Sequence, residues 1–306
     1  MHDLIIIGGG PAGVAAGVYA ARKQLKTILI TEEFGGQSTV SEGVENWIGT
    51  IKIPGSELAK VLKEHLFAYK GEFVEVVEGV RVTKIGKSGE GFAVTAGEKE
   101  YVARAVLVAS GAGRRKLDIP GAAQFENKGV VYCASCDGPL FSGQDVVVVG
   151  GGNAGFETAA QLLAYAKTVT LLHRSAEYGA DAITVNKVLA HPNMKGMPNS
   201  QPVEILGEKF VSGVVVEDSV TKEKTTLPVT GVFVEIGVIP NTDFADGFLP
   251  MDKFKRVTAD PRNQRTPIEG VWAAGDCTDE LYHQNNIAAG DAVKALEDIY
   301  LWLKAR

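Results

Sequence analysis

Leu4-Ile5-Ile6-Ile7-Gly8-Gly9-Gly10-Pro11-Ala12-Gly13 decides the fold. An apolar strand runs into G-x-G-x-x-G, and residues 14–23, rich in small side chains, read as the helix that follows. The three glycines differ in purpose. Gly8 makes the tight turn, Gly10 lets a pyrophosphate approach the backbone, and Gly13 lets the helix pack close to the strand. The phosphates would sit on the helix N-terminus, where unpaired N–H groups point outward. A second strand, residues 27–30, runs into Thr31-Glu32, and Glu32 supplies the carboxylate that a ribose hydroxyl needs.

The signature returns at Asp145-Val146-Val147-Val148-Val149-Gly150-Gly151-Gly152-Asn153-Ala154-Gly155, with a helix predicted over residues 156–166. Gly150, Gly152 and Gly155 repeat the first turn, so the chain is α/β with two Rossmann-like dinucleotide-binding domains. One dinucleotide can be a bound flavin and the other a nicotinamide. The second strand of the later fold, residues 168–172, ends at His173-Arg174-Ser175. No carboxylate stands where the ribose of NAD wants one, and Arg174 could meet the 2′-phosphate of NADP instead. A solvated surface arginine is the plain alternative.

Between the two turns lies Cys133-Ala134-Ser135-Cys136-Asp137-Gly138. Two thiols separated by two residues close into a small, reducible disulfide, and a helix start tunes the attacking sulfur. Asp137 could carry a proton for that exchange. Two buried cysteines or half of a zinc site is the bland account. The chain has three cysteines, however, and no second C-x-x-C or H-x-H pair completes a tetrahedral set, so no metal is expected.

A net charge of −6 gives no electrostatic footprint for nucleic acid or an anionic membrane, and no basic cluster exceeds Arg114-Arg115-Lys116. No apolar run approaches membrane-spanning length, and the first strand begins too early for a signal peptide. The expected location is the cytoplasm, where a C-x-x-C is more plausibly catalytic than a staple.

Residues 56–69 have helical spacing with Ser56 as an N-cap, and short alternating runs over residues 73–102 read as an antiparallel β insertion. Phe34-Gly35-Gly36-Gln37 and Val44-Glu45-Asn46-Trp47 read as loops whose polar amides could face a ring system. The strand over 105–109 ends at Ser110-Gly111, and residues 113–120 read as a linker at a domain boundary. Later come a helix over 180–190, a loop over 191–202, strands around 209–216 and 229–236, and a turn over 237–242 that returns the chain to the first domain. The strand over 270–274 runs into Gly275-Asp276, which places Asp276 to accept hydrogen bonds from a polyol such as a ribityl chain, and residues 286–303 read as the final helix.

Taken together, Gly8–Gly13, Gly36-Gln37, Glu45-Asn46, Cys133-Ala134-Ser135-Cys136-Asp137, Gly150–Gly155 and Gly275-Asp276 stand in an order that resembles the low-molecular-weight thioredoxin reductase family over essentially the whole chain. The resemblance implies an FAD domain made from both chain ends, residues 1–112 and 245–306, an inserted NAD(P)H-type domain, residues 113–244, carrying the redox cysteines, and a homodimer. It implies an interdomain rotation about hinges near residues 111–113 and 240–244, because nicotinamide and disulfide cannot occupy one flavin face together. Carried over, Gly8, Gly10 and Gly13 bind the FAD pyrophosphate, Glu32 its ribose, and Gly36, Gln37 and Asn46 lie near the isoalloxazine and ribityl groups. Asp276 and Gln284 hold the ribityl and ring edge, and the helix after Gln284 aims its N-terminus at the reduced flavin. Cys136 is the sulfur nearest the flavin, Cys133 attacks the partner, Asp137 carries the proton, and Lys128 is a candidate contact to an acidic protein.

The sequence also departs from that pattern. NADPH-specific members carry His-Arg-Arg and another Arg four residues on, whereas this chain reads His173-Arg174-Ser175-Ala176-Glu177-Tyr178-Gly179. Losing two phosphate-binding arginines, each worth roughly 1.5–3 kcal/mol, leaves NADH competitive with NADPH. The stretch Ala274-Gly275-Asp276-Cys277-Thr278 and the Tyr282-His283-Gln284 spacing stand closer to the flavoprotein subunit of alkyl hydroperoxide reductase, an NADH-using relative with further N-terminal thioredoxin-like modules that this sequence does not contain. Cys277 reads as an inert packed thiol. The expected activity is reduction of a thioredoxin-like protein through FAD and Cys133/Cys136. Its rivals are a ferredoxin-fed reductase, a flavin-dependent dithiol oxidase that passes electrons to oxygen, and a non-enzymatic flavin-bound redox sensor or scaffold.

Overall fold

The computed structural model describes residues 1–41 and 43–305. The chain folds as two compact units, Met1–Gly113 completed by Ile239–Arg306, and Arg114–Val238. The first unit contains β1 (His2–Gly9), α1 (Pro11–Arg22), β2 (Thr27–Phe34), a 3₁₀ turn (Gly36–Val40), α2 (Gly55–Phe67), β3 (Val74–Glu78), β4 (Val82–Ser88), β5 (Gly91–Ala96), β6 (Lys99–Val108) and β7 (Ala112–Arg114). The second contains β8 (Val130–Val131), α3 (Ala134–Asp137), β9 (Asp145–Val149), α4 (Asn153–Leu162), β10 (Thr168–Leu172), α5 (Ala182–Leu189), β11 (Met194–Met197), β12 (Ser200–Gly207), β13 (Val211–Asp218), β14 (Lys224–Leu227) and β15 (Gly231–Val234). Then β16 (Val238–Pro240) leads back to β17 (Val271–Ala273) and α6 (Asn285–Lys304).

The continuous apolar run in β1 is explained by burial on both faces. Leu4 and Ile6 pack under α1, α2 and α6, against Leu58, Leu296 and Ile299. Ile5 and Ile7 point the other way, into Val82, Phe92, Val94 and Phe244. A strand whose alternate side chains enter two cores has no position left for a polar residue. The sheet order is β3-β2-β1-β6-β5-β4, with β17 also on β6. β1 pairs parallel with β2 and β6, so both crossovers deliver chain to the C-terminal edge where the first glycine turn sits. The second unit repeats the design: Val147 and Val149 face one core, and Val146 and Val148 face Phe156 and Leu162 of α4. Its parallel sheet runs β11-β10-β9-β15-β8, beside an antiparallel β12-β13-β14 ribbon.

Four local readings change. Val74–Glu78 is a parallel neighbour of β2, not part of the antiparallel insertion, because α2 carries the chain over the sheet before it returns. α2 begins at Gly55 with Pro54 in the cap position, so Ser56 lies inside the first turn; the Gly55 N–H donates to Ser41 O at 2.9 Å. The loop expected over residues 191–202 holds β11, which extends the parallel sheet beside β10. α4 starts directly at Asn153, because the glycine turn feeds straight into it. The return crossing falls at Val238–Ile239, where Arg115 N–H donates to Gly237 O at 3.0 Å on one side and Asn241 N–H donates to Gly111 O at 3.0 Å on the other.

Candidate active site

The first glycine turn divides its labour between packing and space. Gly8 lies at φ +116°, where a side chain is strained, and an added Cβ would overlap the carbonyl oxygen of Ala109. A Cβ at Gly13 would overlap the carbonyl oxygen of Gly8. A Cβ at Gly10, by contrast, meets no heavy atom of the described residues within 4 Å. Gly10 therefore faces open space at the start of α1, where Val14 N–H bonds back to Gly10 O at 3.0 Å. The space is a cleft of about 210 Å³ lined by Gly8, Gly10, Glu32, Gly36, Gln37 and Asp276. Gly13 acts underneath it, by letting α1 approach the turn.

Glu32 is exposed on β2, which continues past the expected end to Phe34 and so carries the carboxylate on a rigid strand. Asp276 follows β17, where Gly275 at φ +76° turns the chain against Ala12 and Ala288. Asn46 and Gln284 are not in the cleft wall. They bond to each other, Asn46 Nδ2 donating to Gln284 Oε1 at 3.1 Å, and Asn286 Nδ2 adds a bond to Asn46 O at 2.7 Å. That ladder ties the 46–48 loop to the N-terminus of α6. Arg81, Ser110 and Asn285 also line the cleft, and none was singled out by sequence. Arg81 sits in an alternating run that signalled only a strand, and Asn285 falls just before the helix predicted over residues 286–303. The residues present fit a flavin dinucleotide: an open glycine at a helix N-terminus, a carboxylate at the adenosine side, and a carboxylate at a strand end.

The second turn has the same construction. Gly150 at φ +130° leaves no room for a Cβ beside Glu235 O, Gly155 leaves none beside Gly150 O, and Gly152 faces space free of described heavy atoms within 4 Å. Behind it, the Gly179 N–H donates to Gly151 O at 2.8 Å, and Asp181 N–H donates to Asn153 Oδ1 at 3.0 Å. Tyr178 packs edge-on to Phe156, with centroids 5.0 Å apart, and against His173. His173 Nε2 lies 2.8 Å from Glu177 O, so the loop after β10 doubles back on itself, and Arg174 is exposed on it. Near the turn, Thr158 Oγ1 donates to Glu235 Oε1 at 2.8 Å, and Arg114 Nη1 lies 3.4 Å from Oε2. Burial pushes the Glu235 carboxyl above its ordinary range, with Arg114 and Thr158 opposing.

Cys133 and Cys136 form a disulfide, with Cα atoms 5.3 Å apart. Cys133 is the cap of α3: the Cys136 N–H points at Cys133 Sγ at 3.2 Å, and Asp137 N–H donates to Cys133 O at 2.9 Å. Ser135 Oγ donates to Gln161 Oε1 at 2.9 Å, fixing the disulfide turn to α4. Both sulfur-bearing residues and Asp137 are half-buried, and Pro139, Leu140 and Tyr165 are exposed. Lys128 is exposed in a turn before β8. Cys277 is fully buried, its thiol 3.4 Å from Ala274 O, and burial pushes it up to about 11. Among the described residues, no helix is long and apolar enough to cross a membrane.

Comparison with known proteins agrees with this geometry. The family model for pyridine nucleotide-disulphide oxidoreductases matches residues 2–292. An alkyl hydroperoxide reductase subunit of Staphylococcus aureus is 37% identical over 295 residues, covering 96% of this chain and 57% of that protein. An NADH dehydrogenase of Bacillus subtilis is 36% identical with the same coverages. The chain thus spans little more than half the length of these relatives. Over nearly full length on both sides, it superposes on thioredoxin reductases from Streptococcus pyogenes (TM-score 0.90, 34% identity, 100% and 99% covered) and Giardia duodenalis (0.92, 34%, 99% and 99%). With two glycine turns, a Cys133–Cys136 disulfide and this match, the chain belongs to the pyridine nucleotide-disulphide oxidoreductase family and has the fold of its low-molecular-weight thioredoxin reductases.

Proposed function

We propose that the protein is an FAD-dependent reductase that takes two electrons from NADH or NADPH, passes them to the Cys133–Cys136 disulfide, and uses the dithiol to reduce a thioredoxin-like protein. The observation that carries this reading is the Cys133 sulfur under the Cys136 N–H at a helix start, in a chain that also builds two open glycine turns. Bound flavin supplies hydride acceptance and two-electron transfer to a disulfide. Gly8, Gly10 and Gly13 shape the pyrophosphate seat, Glu32 accepts from the adenosine ribose, and Asp276 accepts from the ribityl chain. Gly36 and Gln37 line the ring end, and the Asn46–Gln284 bond braces the loop and helix start outside the cleft wall.

Reduction breaks the S–S bond with two electrons and leaves a thiol and a thiolate. The Cys133 thiolate, stabilised by the Cys136 N–H, attacks one sulfur of the partner's disulfide and expels the other. Cys136 then attacks Cys133 Sγ, restoring the intramolecular disulfide and releasing the partner as a dithiol. Asp137 moves the protons these steps require. The exposed Pro139-Leu140 step offers an apolar seat for such a partner three residues on from Cys136. At the second turn, Gly150, Gly152 and Gly155 seat the nicotinamide dinucleotide, and Arg174 is the single arginine available to a 2′-phosphate.

The test is an anaerobic stopped-flow titration of the flavin-loaded protein, following flavin absorbance after mixing with NADH and, separately, NADPH. Rapid bleaching by either establishes a pyridine-nucleotide reductase and reports the donor preference. Bleaching by dithionite alone overturns the donor assignment and moves the protein to a ferredoxin-fed or dithiol-oxidising role.

A further inference from the structure

The cleft of the first unit has a wall that the dinucleotide motif does not account for. Val80, Arg81 and Val82 line it from one segment and Asn241 and Phe244 from another. Val80 N–H donates to Thr31 O at 3.3 Å, which sets the first segment alongside the Thr31-Glu32 end of β2. Arg81 Nη2 reaches Asp243 Oδ1 at 3.0 Å and Oδ2 at 3.4 Å, joining the two segments across the cleft's rim. Val82 and Phe244 are buried. The Glu32 end is therefore closed by apolar side chains and one guanidinium held by a carboxylate. An exposed ion pair adds little to stability by itself, so the pair's place on the cleft wall is the informative feature.

We propose that Arg81, oriented by Asp243, binds the adenine ring of the flavin dinucleotide; this rests on the FAD reading above. A ribose held by Glu32 places the adenine beyond it, toward Arg81, Val82 and Phe244. The planar, weakly hydrated guanidinium stacks on an aromatic face, which a lysine ammonium does not reproduce. Val82 and Phe244 supply the apolar surroundings that a ring loses water to enter. Asp243 acts as a positioning residue: it fixes the guanidinium plane without touching the ring.

The experiment titrates the 306-residue chain, freed of flavin, with FAD, and compares the parent with R81A and R81K by flavin fluorescence, recording melting temperatures with and without FAD. The expected result is FAD binding weakened roughly three- to thirty-fold in R81A and not restored to the parental value in R81K. The flavin-free melting temperature stays at the parental value while the rise on adding FAD shrinks. Unchanged FAD affinity in R81A, with the parent binding normally, overturns the role of Arg81 alone. So does a melting temperature lowered equally with and without FAD. Failure of the parent to bind FAD overturns the underlying reading as well.

Discussion

The backbone N–H of Cys136 points at the Sγ of Cys133 across 3.2 Å, so one cysteine of the redox pair is poised to stabilise charge on the other. The arrangement is asymmetric: among the described bonds Cys133 Sγ accepts this one from the first turn of α3. After reduction, the thiolate should reside on Cys133. With substoichiometric iodoacetamide and peptide mass spectrometry, Cys133 should be alkylated first. Preferential labelling of Cys136 would reverse the roles assigned to the two sulfurs. In a C136S variant, flavin reduction should survive while thioredoxin reduction falls to background.

The glycines of the first turn should separate by phenotype. G13A forces a Cβ into the Gly8 carbonyl, and overpacking of that kind costs about 1–3 kcal/mol. Thermal melting of the flavin-free protein should register it. G10A places its methyl in open space, so the flavin-free protein should melt as the parent does while its FAD affinity drops. Equal melting temperatures for both variants would contradict the packing described for α1.

Glu235 should make stability fall with rising pH. Its carboxyl is raised above the ordinary 4.5, chiefly by burial, so the folded chain holds that proton to higher pH than the unfolded chain does. Between the ordinary value and the raised one, the folded state binds more protons, and its stability declines as pH climbs through that window. E235Q cannot ionise. Its melting temperature relative to the parent should therefore rise as pH climbs above the ordinary carboxylate value. A difference independent of pH would remove burial as the dominant influence on this group.

Cys277 should be silent in the native protein. A fully buried thiol pushed up to about 11 is neither ionised nor accessible near neutral pH. Native reduced protein should titrate two thiols with an aromatic disulfide reagent, and denatured protein three. C277A should retain whatever thioredoxin reduction the parent shows under the function proposed above. Loss of that activity with the fold intact would give this sulfur a role that its packing does not suggest.

Much of this was readable in the chain because the relevant signals are local. A strand, a glycine turn and a helix follow one another directly and state the dinucleotide-type turn, and Gly8 and Gly150 need positive φ that a sequence announces as glycine. The pairing of Cys133 with Cys136 was legible from their spacing, and the structure adds the helix start at Cys133. The illegible parts depend on long-range pairing. Met194-Lys195-Gly196-Met197 has neither alternation nor β-branched residues, and becomes a strand because an edge beside β10 is available. Arg81 carries no motif: its place in the cleft follows from Val80 pairing with Thr31 and from Asp243, 162 residues away. The Asn46–Gln284 bond likewise joins residues 238 apart, which no window of sequence connects.

The covering of Leu4 and Ile6 by α6 has a consequence for biosynthesis. β1 and α1 leave the ribosome before the inserted unit, yet Leu296 and Ile299, which seal their apolar face, are translated only after it. Arg114–Val238 is continuous and can fold during synthesis, whereas the nascent N-terminal strands must wait with one side bare. Depletion of chaperones that shield nascent chains should therefore aggregate this protein through its discontinuous unit, and the emergence of α6, not the elongation of the inserted unit, should set when the core around β1 first closes.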